Sequence, residues 1–381
     1  MKILFDLISL QGAHNGGEEY TRAVLLELIQ RHSDIVGIYD SKIQFLDNDY
    51  DYFKGLFPIF DINITKIEEI INSQNIDFFF IGIGQRFMNY DLKNINCKTI
   101  CVIHDICYLE IVSNKIITLY PQIQQKPNFE LKLRRAFRAL FPRKPNNDIK
   151  EQFNNLINFI SQENVKIITV SNYSKNALKY YFPKLKDKEI TVLYPPVIRV
   201  EVDKNHNHAE FKKYLKKISP YFLLLNANKP NKNPSFVFDV FKNSPDLTQN
   251  FNLLATNCPP DIVAPYIIHS PYLSDEEMEL AYQNAYALLY PSYGEGFGYP
   301  PVRAMKYGVP VVCANVTSIP EVVGDGGLLF SPFYQSDLSE KIHILIKSYN
   351  YYSDLSLKRF PLINKKQIDD FHKLIELIVN T

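Results

Sequence analysis

The chain has 381 residues, 46% of them hydrophobic and 22% charged, with 42 basic and 41 acidic side chains and a net charge of +1. That length exceeds one ordinary hydrophobic core and suits two domains, while the balanced charge excludes a global field for nucleic acid. The five cysteines, Cys97, Cys101, Cys107, Cys258 and Cys313, are odd in number, scattered and without metal-pair spacing, so they read as reduced thiols of a cytoplasmic protein.

The opening MKILFDLISLQG carries one early lysine and an apolar run. Asp6 interrupts the run and no small-residue cleavage site follows, so residues 2–9 read as a first strand and not as a targeting segment. No run of 18 or more apolar residues occurs, so nothing in the sequence is expected to span a membrane. GAHNGGEEYTRAVLLELIQRH then passes from a glycine loop to a helix with Tyr20, Val24, Leu25 and Leu28 on one face. After Gly16 and Gly17 the start of that helix can receive a phosphate through its unpaired amides and dipole, although a plain tight turn satisfies the same two glycines. Further strands are expected at 35–39, 76–83 and 98–103, with a helix over 64–71. Continuous buried strands alternating with helices predict a parallel, Rossmann-like sheet. The strand at 98–103 runs straight into His104 and Asp105. Both therefore lie at a carboxyl end, the edge at which open α/β sheets bind ligands, where a satisfied structural histidine is the plainer alternative.

Residues 106–165 make a long connection in which Phe129, Leu133, Ala136, Phe137, Leu140 and Phe141 share one helical face. Between Lys126 and Lys150 stand eight lysines and arginines against Glu130 and Asp148. This basic amphipathic insertion, about 115–150, fits a peripheral contact with an anionic membrane through 126–150, or equally a solvated helix packed on its domain. Residues 166–170 read as a strand and SNYSKNALKYYF as a helix capped by Ser171. The N-terminal domain is expected to span 1–198, followed by a polar linker at 199–219. A second domain over 220–360 opens with a strand at 221–226, and further strands follow at 251–255 and 266–268. Ser274 and Glu277 stand in capping-box spacing. Helices are expected at 337–349 and 365–379.

The densest stretch is YALLYPSYGEGFGYPPVRAMKYGVPVVCANVTSIPEVVGDGG, residues 286–327. A short apolar strand runs into PSYGEGFGYPP, whose three glycines and three prolines force a sharp turn before a helix over 302–307, with Pro301 suited to a first helical position. The amides of Gly296, Phe297 and Gly298 precede that helix, where an anion such as a diphosphate is favoured. Glu295, a carboxylate that a phosphate would repel, is better matched to the neutral hydroxyls of a sugar.

This ordered string resembles the donor-site signature of the family-4 retaining glycosyltransferases of the GT-B fold. VIHDICYLE resembles their VHD segment, and KIITVSNYSKNALKYYF with EITVLYPPV their end of the first domain. The resemblance implies an α/β fold of two Rossmann-like domains with parallel sheets facing across a cleft. It further implies an acceptor domain at 1–198, a nucleotide-sugar donor domain at 220–360 and a C-terminal helix, 361–381, returning to the first domain. His104 is then expected near the donor sugar, Gly16 and Gly17 at the family's double-glycine loop, and Tyr272 and Leu273 against the nucleotide base. In the family's G-x-x-x-x-RKN loop this chain keeps Lys232 and Asn233 but has Asn226 for the glycine and Asn231 for the arginine. Lys232 is expected on the diphosphate, with Lys229 a candidate replacement for the missing charge. The family's second glutamate, a ribose partner, is Arg303 here. Arginine can only donate, so the nucleotide must be held differently: either the donor is a thymidine sugar, or Arg303 binds the diphosphate.

The function implied is transfer of a sugar from a nucleotide diphosphate to an acceptor hydroxyl with retention, using His104, Glu295 and Lys232. No cofactor and no metal are expected, and the acceptor is a glycan or lipid-linked glycan of bacterial surface polysaccharide. Two alternatives use the same features: a degenerate, non-catalytic binding or scaffold protein, and a GT-B nucleotide-sugar epimerase or phosphorylase. The expected location is the cytoplasm or the inner face of the plasma membrane.

Overall fold

The computed structural model describes residues 1–12, 14–46, 48–107, 109–110, 145–198, 208–270 and 272–380, with side chains described in the third-last segment from 153 onward. The chain divides into two compact units. The first comprises Met1–Leu109, Pro145–Ile198 and Lys365–Thr381, and the second is built on Arg199–Asn364.

The first unit holds seven strands: β1 (Lys2–Asp6), β2 (Asp34–Tyr39), β3 (Ile59–Asp61), β4 (Phe78–Ile81), β5 (Lys98–Ile103), β6 (Val165–Thr169) and β7 (Ile190–Val192). They form one parallel sheet in the order β3-β2-β1-β4-β5-β6-β7. Its helices are α1 (Gly16–Gln30), α2 (Asp49–Leu56), α3 (Ile67–Gln74), α4 (Pro145–Ile160) and α5 (Asn172–Tyr181). All four residues of β4 are buried, as a parallel strand covered on both faces requires. Ser171 caps α5 by accepting the Ser174 N–H at 3.1 Å.

The second unit holds β8 (Tyr221–Leu224), β9 (Asn252–Thr256), β10 (Ile267–Ser270), β11 (Ala287–Tyr290), β12 (Val311–Ala314) and β13 (Leu328–Phe330), parallel in the order β10-β9-β8-β11-β12-β13. Its helices are α6 (Ala209–Ile218), α7 (Pro234–Lys242), α8 (Pro245–Asn250), α9 (Asp275–Gln283), α10 (Tyr299–Lys306), α11 (Ile319–Val323), α12 (Gln335–Lys347) and α13 (Tyr349–Val379). The expected capping box opens α9, with Ser274 and Glu277 each accepting the other's backbone N–H.

Several boundaries differ from the sequence reading, each for a local reason. The helix expected over 64–71 starts at Ile67, because the Asp61 carboxylate accepts the Ser41 and Asn63 amides and holds that segment in a turn, leaving Ile64 84% exposed. The strand expected to reach residue 226 stops at Leu224, since Asn226 takes φ +51°. Helix α10 begins at Tyr299, so Pro300 and Pro301 both occupy the first turn, where the N–H they lack has no intrahelical partner. The segment between the two expected C-terminal helices is helical throughout and contains Pro361. From Lys365 onward this helix belongs to the first unit: Gln367 Nε2 donates to the Pro195 carbonyl at 2.9 Å, and the Asp370 carboxylate accepts the Tyr194 N–H at 3.0 Å. The helical part of the expected linker, α6, clusters with the second unit. The apolar face expected across 129–141 lies outside the described residues, as do most of the basic residues of 126–150. Among the described residues no helix is long and apolar enough to cross a membrane. Cys97, Cys101, Cys258 and Cys313 are free thiols.

Candidate functional site

The second unit gathers its candidate functional side chains at the carboxyl end of β11. The strand is apolar up to Tyr290, and the chain then turns through Pro291–Gly298. Gly298 takes φ +100°, a backbone conformation that only glycine adopts freely, while its missing Cβ would meet nothing nearer than Tyr290 Cε1 at 4.0 Å. Conformation therefore demands this glycine, not space. The loop is held from behind by the segment before α11. Thr317 Oγ1 accepts the Glu295 N–H at 3.1 Å, and Ser318 Oγ donates to the carbonyls of Glu295 at 2.8 Å and Phe297 at 3.0 Å. Thr317 itself sits at φ +52°. A β-branched residue there stores strain of about 1–3 kcal/mol, a mark of positions fixed by their surroundings.

A second loop is brought against the first. The Asn231 carbonyl accepts the Tyr293 N–H at 2.9 Å and the Ser292 hydroxyl at 3.3 Å, which docks the turn preceding α7. Asn231 contributes through this carbonyl. The positive φ values of Asn226 and Asn233, +51° and +53°, shape the turn, and asparagine is the residue that best tolerates what a glycine would otherwise supply. The result is an ion pair between Lys232 Nζ and Glu295 Oε1, with side chains only 18% and 14% exposed. Tyr290 completes it. Its hydroxyl lies 3.5 Å from Lys232 Nζ and hydrogen-bonds Glu295, and Nζ stands 5.5 Å from the centre of its ring. Burial first, then the Glu295 charge, push the phenol well above its ordinary value, so Tyr290 remains the donor. Beside Lys232, the Asn233 side chain is 4% exposed and its Nδ2 has no hydrogen-bond partner among the described residues. A cation, a buried unsatisfied donor and the adjoining start of α10 are the elements of an anion site. Lys229 is exposed and donates its N–H to the Asn226 carbonyl at 2.9 Å.

Arg303 lies one turn into α10 and is engaged. Its Nε donates to Glu279 Oε1 of α9 at 2.7 Å, and its guanidinium carbon stands 5.3 Å from the centre of the Tyr282 ring. Lys306 Nζ reaches Glu279 Oε2 at 3.1 Å, and the Tyr307 hydroxyl donates to the same oxygen. Burial opposes the Glu279 charge, but the Tyr307 hydrogen bond and the Arg303 cation outweigh it and hold the carboxyl below its usual range. Arg303 thus ties α10 to α9. Tyr272 and Leu273 lie on the loop before α9, the ring of Tyr272 71% exposed and Leu273 buried.

In the first unit, His104 follows β5 directly. Its Nε2 lies 2.9 Å from the Gly82 carbonyl, its ring meets Tyr20 edge-on at 5.0 Å between centroids, and burial lowers its pKa. Gly16 and Gly17 form the first turn of α1 instead of a loop before it. Asn15 Oδ1 caps that turn, accepting the amides of Gly17 at 3.0 Å and Glu18 at 3.2 Å. Here the sequence reading left out the cap: an asparagine directly ahead of the two glycines is the signal for it. Tyr290, Thr317, Ser318 and Glu279 were likewise not singled out, because each acts through a partner distant in sequence.

Two parallel, Rossmann-like α/β units define the GT-B fold. Residues 264–358 match the family model described as glycosyl transferases group 1. Among curated relatives, O-antigen chain mannosyltransferase B of Escherichia coli is 52% identical over 67 residues, 18% of this chain and 18% of that protein. O-antigen chain mannosyltransferase RfbU of Salmonella typhimurium is 27% identical over 222 residues, 53% of this chain and 57% of that one. The matched segments thus span less than two thirds of either relative's length. Of solved structures, Anabaena HepE in complex with UDP-glucose superposes with a TM-score of 0.68 at 12% identity, covering 100% of both chains. WaaG, a glycosyltransferase involved in lipopolysaccharide biosynthesis, gives 0.66, also at 12% identity and 100% of both chains. At such identity these two likenesses concern the fold alone.

Proposed function

We propose that this protein is a retaining glycosyltransferase that moves a hexose, mannose by the names of its relatives, from a nucleotide diphosphate to an acceptor hydroxyl in bacterial surface polysaccharide synthesis. The observation that carries the reading is the convergence of Lys232, Glu295 and the unsatisfied Asn233 amide where the glycine loop leads into α10. Cleaving a sugar–phosphate bond leaves additional negative charge on the diphosphate while the sugar becomes oxocarbenium-like, so groups that stabilise the leaving oxygens accelerate the step. Lys232 and the amides ahead of α10 take that role, and Asn233 Nδ2 supplies a further donor. Glu295 accepts from sugar hydroxyls, held in place by Tyr290 and by the Thr317 and Ser318 bonds to its backbone. On this reading the diphosphate charge is met without a metal. Arg303, committed to Glu279, stiffens the wall of the nucleoside site without gripping the diphosphate, and the nucleoside is met by the loop of Tyr272 and Leu273.

The reading is tested by calorimetry and thermal shift of the purified protein with UDP, GDP, dTDP and CMP, followed by turnover with the matching sugar nucleotides. Saturable stabilisation by one nucleoside diphosphate, lost in Lys232→Met, and turnover lost in Glu295→Ala are expected. No stabilisation by any of them would sink the transferase reading and favour a non-catalytic binding protein.

A further inference from the structure

We infer that Asp6 is a positioning residue for His104, acting through the Gly82 peptide to hold the imidazole in its Nε2–H tautomer with Nδ1 left as a hydrogen-bond acceptor. The reading above enters only in what Nδ1 meets, a substrate hydroxyl.

Strands β1, β4 and β5 are neighbours in the sheet, so Asp6, Gly82 and His104 stand side by side at its carboxyl edge. A carbonyl oxygen can only accept, so the 2.9 Å contact of His104 Nε2 with Gly82 places the ring proton on Nε2. Nδ1 then carries a lone pair and has no partner among the described residues. The buried Tyr20 ring, perpendicular to the imidazole at 86°, hinders its rotation. Gly82 is itself fixed from two sides. Its N–H donates to Asp6 Oδ2 at 3.1 Å, and a Cβ on it would stand 2.2 Å from Thr21 Oγ1 of α1.

The Ile83 amide also helps hold the Asp6 carboxylate. That N–H belongs to the same peptide unit as the Gly82 carbonyl. A carboxylate at one end of a peptide makes its oxygen a stronger acceptor at the other, so the charge of Asp6 is felt at His104 Nε2. A turn-capping role alone needs only the bonds to Ser9, from its N–H at 2.9 Å and from its hydroxyl. The Gly82 bond goes further, to the neighbouring strand. Asp6 is completely buried, and this pushes its pKa up to about 6 against the opposing bonds from Ser9, Gly82 and Ile83. The charge of Asp6 therefore changes near neutrality. The other titratable groups it influences are Cys101 on β5 and Tyr90, both pushed up and uncharged there, with Arg86 acting on Tyr90 in the opposite sense.

The test is nitrogen NMR of the histidine rings in the full-length protein between about pH 5 and 8, the His104 signals being those missing from His104→Gln. The expected result is the Nε2–H tautomer at neutral pH, with an inflection in the Nε2 shift near the Asp6 pKa. Ser9→Ala, which removes a bond to the carboxylate, moves that inflection upward. Asp6→Asn abolishes it and admits the Nδ1–H tautomer. An Nδ1–H tautomer in the unaltered protein, or an inflection that Ser9→Ala leaves in place, would overturn the inference, and the Ser9→Ala arm stands even if Asp6→Asn does not fold. Failure of every nucleotide to bind would sink the transferase reading without touching this result.

Discussion

The ion pair between Lys232 and Glu295 makes an asymmetric prediction. Within the pair each group neutralises the other, so on the proposed reading a diphosphate must draw Lys232 away from a carboxylate before it can be held. With side chains 18% and 14% exposed, the pair lies between a surface contact worth 0–1 kcal/mol and a buried one whose disruption costs about 3–5, and about 2 kcal/mol is a reasonable midpoint. Glu295→Gln keeps the shape and removes the competition. It should tighten binding of the free nucleoside diphosphate by about 10- to 30-fold, at about 1.4 kcal/mol per tenfold, while sugar transfer collapses. Lys232→Met removes a charge-assisted contact of about 1.5–3 kcal/mol and should weaken the same ligand by about 10- to 100-fold. It should also lower the melting temperature of the empty protein, because the Glu295 carboxylate is left without its cation. Calorimetric titration of one nucleoside diphosphate into the three proteins decides the matter. If Glu295→Gln weakens binding as much as Lys232→Met does, Glu295 is not the competitor of the phosphate, and this account of the site is wrong.

Three further outcomes follow from the same physics. Arg303→Met and Glu279→Leu should each cost about 2–4 kcal/mol by leaving a largely buried charge behind, yet the double variant should recover part of that sum in a double-mutant cycle read by urea unfolding; strict additivity would mean the pair is not coupled. Asp6 titrates at about 6 when folded and near 3.8 when unfolded, so between these values the folded state binds the extra proton and stability falls as pH rises, by about 3 kcal/mol in all. Asp6→Asn should flatten that limb; His104, pushed down by burial, contributes a slope of opposite sign on the acid side of its ordinary value. Burial pushes the Cys101 and Cys313 thiols up, so both should resist thiol reagents at neutral pH until the protein unfolds, and rapid labelling of either would contradict the packing of β5 and β12.

Much of this protein is settled by local pattern. Apolar runs alternating with amphipathic segments dictate parallel sheets, because backbone pairing and the burial of both faces leave few other arrangements. Ser171, Ser274 and Glu277 cap their helices through bonds that span three residues. The loop around Glu295 is legible for the same reason, since glycines and prolines act on their own backbone. Other features needed tertiary structure. Nothing near Arg303 in sequence indicates Glu279, which meets it only because α9 and α10 pack together. Asn231 reads as a missing charge, whereas folded it is a carbonyl that docks one loop on another. Gly16 and Gly17 suggest an open loop, but Asn15 turns them into the first turn of α1. Asp6 looks like an interruption in an apolar strand. Only the adjacency of β1, β4 and β5 sets its carboxylate beside Gly82 and His104, because the order of strands in a sheet depends on long-range pairing that no local window of residues contains.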